Sequence, residues 1–171
     1  MAKERKIITE DFVQSSVIRH LKVNGWSTSL QSAELWEQGV DIRVRNDRFS
    51  RYWLIEAKGD PSATVKSPSG SQSSSFNSAV GQILTRMHSK GARGYKYRYK
   101  YGIAFPVSFR KMVMRKMPFD VMDKLNLYLF FVDGIGNVEE IKWNQLKKEG
   151  QLQNNHGPHH TRIRRTVAQD I

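Results

Sequence analysis

Apolar and polar positions follow two different rhythms along this chain, and the changes of rhythm mark out its elements. In TEDFVQSSVIRHLKVNGW, starting at Thr9, the apolar residues Phe12, Val13, Val17, Ile18 and Leu21 recur at helical spacing. Thr9 is a good N-cap and Asn24-Gly25 a good stop, so a helix is expected between them. Trp26 to Leu30 reads as a short strand. In GVDIRVRND the period drops to two, with Val40, Ile42 and Val44 on one face and Asp41, Arg43 and Arg45 on the other. The polar turn NDRFSR leads into YWLIEAK, which repeats the alternation, and the two segments are expected to pair as an antiparallel hairpin. Residues 59–75, GDPSATVKSPSGSQSSS, are rich in Ser, Gly and Pro and read as a flexible loop. A helix is expected in FNSAVGQILTRMHSK, ended by Gly91. RGYKYRYK then runs into the strand YGIAFPVS, stopped by Pro106. Phe109 to Leu125 reads as helix broken near Pro118, LYLFFVD as a strand, GIGN as a turn, and VEEIKWNQL as a strand entering a short helix.

This order predicts an α/β fold: a single domain with a central mixed β-sheet flanked by helices. The domain is expected to span residues 1–146, with 147–171 as a polar basic tail. The tail holds His156, His159 and His160 at loose metal-like spacing, but its polarity favours a solvated segment over a zinc site. The chain has 171 residues, the size of one ordinary domain and long enough to bury roughly two-thirds of its unfolded surface. With no cysteine, a disulfide scaffold, a thiolate zinc site and a cysteine nucleophile are excluded. The start MAKERKIITEDF has no apolar signal core and no stretch is long enough for a membrane span, so an intracellular, cytoplasmic protein with no membrane partner is expected.

Charge alters the picture more than composition does. Lys and Arg number 28 against 16 Asp and Glu, a net charge of +12 and a pI near 10.1. A field of that sign attracts polyanions, of which nucleic acid is the commonest inside a cell. It says nothing of what happens to the polyanion.

The chemistry is concentrated at YWLIEAKGD. Trp53, Ile55 and Ala57 share one face, and Leu54, Glu56 and Lys58 the other. A carboxylate and an ammonium at the end of an apolar strand are either a surface ion pair or a working site. Upstream, Asp41 is expected on the neighbouring strand of the hairpin, which brings a second carboxylate close. The tripeptide alone discriminates little, since Glu4-Arg5-Lys6 and Glu140-Ile141-Lys142 share its pattern. The first belongs to no apolar strand. The third is preceded by Asp133, but that residue opens the turn DGIGN, where an Asp has its own backbone hydrogen bonds to make.

Asp41 in GVDIRV, Glu56-Ala57-Lys58 in LIEAKGD and the following helix with AVGQILTRM together resemble the PD-(D/E)XK nuclease superfamily. The resemblance covers roughly Thr9 to Asp133, and Val40 stands where the superfamily's name has proline. It implies a restriction-endonuclease-like core and a metal-dependent DNA nuclease, with Mg²⁺ as cofactor and Mn²⁺ able to substitute. Asp41, Glu56 and the main-chain carbonyl of Ala57 would be the metal ligands, and Lys58 would assist the attacking water. Gln82 would project from the next helix into the same cleft. Glu10, with Gln14 one turn on, and Glu34 or Glu37 are candidates for a further ligand. A hard cation with oxygen ligands suits this chemistry, because it stabilises charge on phosphate and makes a water nucleophilic near neutral pH. The alternative is a non-catalytic nucleic-acid-binding protein with a nuclease-like sheet.

Arg43, Arg86, Arg93, Lys96, Arg98 and Lys100 are candidate nucleic-acid contacts. RGYKYRYK interleaves basic residues with Tyr95, Tyr97, Tyr99 and Tyr101, so a strand there would carry bases on one face and rings on the other. A solvated edge strand explains the same pattern. Trp26, Trp36, Trp53 and Trp143 read as packing residues. A homodimer is possible, since cutting both strands together takes two sites.

Overall fold

The computed structural model describes residues 7–26, 40–46, 48, 51–87, 99–117, 119–142, 144 and 145. The expected strand at Trp26 to Leu30 (apart from Trp26 itself), Glu34, Glu37, Arg93, Lys96, Arg98 and the tail 147–171 lie outside them.

The first helix, α1 (Glu10–Val23), begins where Thr9 accepts a hydrogen bond from the Phe12 amide and ends at Asn24. It buries Val13, Val17 and Leu21, the stripe legible in its spacing. Then come β1 (Ile42–Asn46), β2 (Arg51–Ala57), α2 (Pro68–Arg86) and β3 (Tyr99–Pro106). A 3₁₀ turn at Val107–Phe109 leads to α3 (Arg110–Lys116), α4 (Phe119–Leu125), β4 (Leu127–Val132) and β5 (Val138–Ile141). The strands form one sheet in the order β1-β2-β3-β4-β5. β1 and β2 are the antiparallel hairpin, with Val44 opposite Trp53. β2, β3 and β4 are parallel, and β5 returns antiparallel to β4.

The parallel centre dictates the layers. Each parallel connection needs a crossover, and successive crossovers of one hand to successive neighbours place their helices on one face. α2, α3 and α4 accordingly pack with Ile103, Phe105, Leu129 and Phe131, while α1 covers Ile42, Val44, Trp53, Ile55, Ala57 and Phe130 on the opposite face. With helices on both faces, β4 is apolar rather than alternating, and every one of its residues is buried. The fold is thus the expected α/β domain with a mixed sheet flanked by helices. No helix among the described residues is long and apolar enough to cross a membrane.

The serine-rich segment differs from expectation. It is not a loop through residue 75, because α2 already begins at Pro68. Ser67 caps the helix, accepting a hydrogen bond from the Gly70 amide at 3.3 Å, and proline is at home in the first turn, where its missing N–H costs nothing. Serine is only modestly unfavourable within a helix, and burial of Phe76, Ala79 and Ile83 further along anchors the whole segment. The connection from β2 shrinks to residues 58–67.

That connection is held tightly. The Asp60 amide donates to the Ile8 carbonyl at 2.7 Å, and the Asp60 carboxylate accepts from the Ile8 amide at 3.1 Å and the Ser108 hydroxyl at 2.5 Å. Gly59 passes so close to the start of α1 that a Cβ there would lie 2.5 Å from the Glu10 nitrogen. Gly59→Ala is therefore expected to destabilise the fold by about 1–3 kcal/mol, because backbone must move to admit the methyl group. Urea denaturation of the two proteins checks this; an unchanged midpoint would mean the approach is looser than described.

Candidate active site

The register of the hairpin builds the site. Ile42 lies opposite Ile55, so one step outward Asp41 faces Glu56. Both side chains fall on the sheet face covered by α2, with Lys58 on the same side two residues further along β2. The Lys58 amide continues the parallel ladder by donating to the Ala104 carbonyl at 3.0 Å, which fixes the lysine's main chain although it lies beyond the strand proper.

Three of the expected residues converge. An Asp41 carboxylate oxygen, Oδ2, accepts from the Ala57 amide at 2.7 Å and lies 3.8 Å from Lys58 Nζ. Glu56 is completely buried, and neither of its carboxylate oxygens accepts a hydrogen bond. Its ion-pair partner is Arg86, at the end of α2, whose Nε lies 3.6 Å from Oε1, too far for a hydrogen bond. Burial, reinforced by the neighbouring Asp41 carboxylate, pushes the Glu56 carboxyl up to about 7, against the opposing pull of Lys58 and Arg86. A buried carboxylate with unsatisfied oxygens is costly by itself. Such a site suits a cation.

The donor set fits a hard divalent ion, which takes oxygen ligands and keeps several waters. Asp41 and Glu56 would hold it, with the main chain of Ala57; the Ala57 side chain points to the α1 face and contributes packing alone. Glu10 does not join them. Among the described residues no three Asp, Glu or His side chains are grouped to hold a metal.

Gln82 is also not brought in. On α2 the residues turned to the sheet are Phe76, Ala79 and Ile83, and Arg86 continues that row. Gln82 sits beside the row, its amide oxygen accepting from Ser78 at 3.4 Å. The helix residue at the carboxylates is Arg86, expected from the sequence as a nucleic-acid contact and found as the counter-charge of Glu56. Sequence spacing alone does not select it, since which face of α2 meets the sheet is a packing result.

The basic candidates divide between the two faces. Arg43 shares the Asp41 face, with its guanidinium 5.3 Å from the centre of the Tyr52 ring, and Arg45 lies 5.8 Å from the same ring. Tyr52 stacks on Tyr99 at 5.3 Å, and Tyr99 on Tyr101 at 6.3 Å. Arg45 and Tyr52 were not among the candidates, although the alternation Asp41, Arg43, Arg45 across a hairpin from Tyr52 was a usable signal. Lys100 does not belong here: it is paired with Trp53 and faces α1, because alternation along β3 sends it opposite to Tyr99 and Tyr101. The second Asp…Glu-x-Lys pattern dissolves in three dimensions. Asp133 accepts from the amides of Ile135 and Asn137 in its turn, and Glu140 pairs with His20.

Comparison of the chain with protein-family models, curated proteins and solved structures finds no match.

The raised Glu56 has a consequence for stability in buffer without divalent ions. A carboxyl whose folded pKa is about 7, against an ordinary 4.5, binds its proton more tightly folded than unfolded. Stability should therefore fall as pH rises from about 4.5 through 7. Glu56→Gln is expected to flatten this loss, so that the variant gains up to about 3 kcal/mol on wild type between pH 5 and pH 8. Denaturation curves at the two pH values check it; parallel behaviour of both proteins would show that Glu56 titrates normally.

Proposed function

We propose that this chain is a divalent-metal-dependent nuclease with a restriction-endonuclease-like core, hydrolysing phosphodiester bonds of DNA. The observation that carries the reading is the Asp41–Glu56 pair, two carboxylates held together at the end of β2 with the Glu56 oxygens buried and accepting no hydrogen bond. Its supports are the Lys58 ammonium beside Asp41, the order α1, hairpin, α2, β3 around the pair, and the net charge of +12.

In this reading Asp41 and Glu56, with the Ala57 main chain, hold Mg²⁺, and Mn²⁺ substitutes. When bound, the cation supplies Lewis-acid stabilisation of the phosphate and a water acidified towards neutral pH. The residues of the chain do the rest. Lys58, its main chain held by the ladder to β3, orients the attacking water and sets positive charge where the phosphate gains negative charge. The Asp41 carboxylate is itself oriented by the Ala57 amide, so the metal side of the site is positioned by the sheet. Arg86 neutralises Glu56 when no metal is present. Arg43 and Arg45, ordered over Tyr52, contact phosphates flanking the cut, which positions the strand without reading its sequence. The partner is DNA inside the cell, and a homodimer would present one site to each strand.

One observation favours a second reading. Arg86 already gives Glu56 a cation, as a site that binds nucleic acid without cutting would require.

Cleavage of linear duplex, single-stranded and branched DNA in Mg²⁺ or Mn²⁺ separates the two. Asp41→Ala and Lys58→Ala are each expected to slow cutting by about 10²-fold or more. Binding in Ca²⁺ should stay within a few-fold of wild type and weaken steeply with salt. Binding by wild type with no cutting of any form would overturn the catalytic reading and leave the second.

A further inference from the structure

On the α1 face of the sheet, across from Glu56, a cavity of about 360 Å³ opens between the end of α1 and residues of β2, β3 and β5. Trp26, Trp53, Lys100 and Lys142 line it, with the His20–Glu140 pair at its side. Lys100 comes from the middle of the sheet, and its ammonium lies 5.4, 4.9 and 5.2 Å from the ring centres of Trp26, Trp53 and Tyr128. Ring faces attract a cation but accept none of its three hydrogen bonds in the way an oxygen does. Burial lowers the Lys100 ammonium below the ordinary lysine range; Glu140 opposes this, and Lys142 and Arg51 add to it. The Trp53 indole belongs to the same wall. Trp53 is buried to 1% exposure, and its indole N–H has no hydrogen-bond partner.

The imbalance has a direction. The one carboxylate at the cavity, Glu140, is engaged by His20 at 3.2 Å. The cavity therefore presents two ammonium groups against one carboxylate, engaged through a single oxygen, and the side-chain amides of Asn24 and Gln145, the latter already accepting from the Lys142 amide. A cation or an apolar ligand would leave those donors unmet and keep the cost of their burial. An oxyanion would meet both ammonium groups, and two ammonium groups suit a dianion. The volume falls in the range of small-molecule sites, and the aromatic wall suits a planar group attached to the anion.

We propose that this cavity is a binding site for a phosphate monoester, separate from the carboxylate site and independent of whether that site cuts DNA. The same chemistry occurs in a free nucleotide and at the 5′ end of a DNA strand.

Titration calorimetry in Ca²⁺ with a deoxynucleoside 5′-monophosphate, the matching deoxynucleoside, and one oligonucleotide with and without a 5′-phosphate tests the proposal and separates the sources. Saturable binding of a phosphorylated probe, absent or at least tenfold weaker for its unphosphorylated counterpart, is the expected result. Gain on the monophosphate alone assigns a free nucleotide, and gain on the oligonucleotide a strand end. Lys100→Met keeps the aliphatic stem among the rings and should fold at least as well as wild type, yet lose tenfold or more in affinity. Lys111→Met, an exposed lysine on α3 across the sheet, should lose nothing. Phosphate-independent binding, no binding of either phosphorylated probe, or equal losses in the two lysine variants would each overturn the proposal.

Discussion

Glu56 carries a carboxylate into a layer of the protein that water does not reach, and the architecture around it reads as the means of keeping it there. β2 brings it in as the sixth residue of a strand whose neighbours are apolar on both sides. Across the hairpin Asp41 adds like charge, and from α2 Arg86 supplies a partial remedy at 3.6 Å. In a region of low dielectric neither repulsion nor desolvation is screened, so the proton affinity of Glu56 rises towards neutrality. A protein selected for stability alone would gain by replacing such a group with an apolar one. Its retention beside a second carboxylate and a lysine is the basis for reading the place as a site.

The sheet provides the rigidity this arrangement needs. Parallel pairing of β2 with β3 continues through the Lys58 amide, so the lysine does not depend on a loop for its position. Immediately afterwards Gly59 and Asp60 fasten the chain to the start of α1 and to Ser108 in the 3₁₀ turn after β3. The site therefore rests on three elements at the carboxyl ends of parallel strands, where open α/β sheets commonly place their ligands. The two faces of the sheet then do different things. One gathers Asp41, Glu56, Lys58, Arg43 and the stacked tyrosines, and the other encloses Lys100 among rings.

Much of this organisation is legible in the order of residues. Helix α1 follows from its stripe and caps, and the hairpin from two runs of period-two alternation about a polar turn. The convergence of Asp41, Glu56 and Lys58 follows from the hairpin, because pairing and alternation together determine which side chains meet. Local rules are sufficient wherever the interacting residues lie on neighbouring strands joined by a short turn. They mislead at residues 68–75, where composition points to a loop and a cap, a first-turn proline and the burial of Phe76 impose a helix.

What the sequence by itself determined is thus the set of elements, the hairpin and the triad that the hairpin creates. Only the tertiary structure decided which face each helix covers. That choice puts Arg86 rather than Gln82 at the carboxylates and sets the Lys100 side of the sheet under α1. The physical reason is that helix-to-sheet contacts are made between residues distant in sequence, through the summed burial of many apolar side chains. No single spacing along the chain encodes that sum.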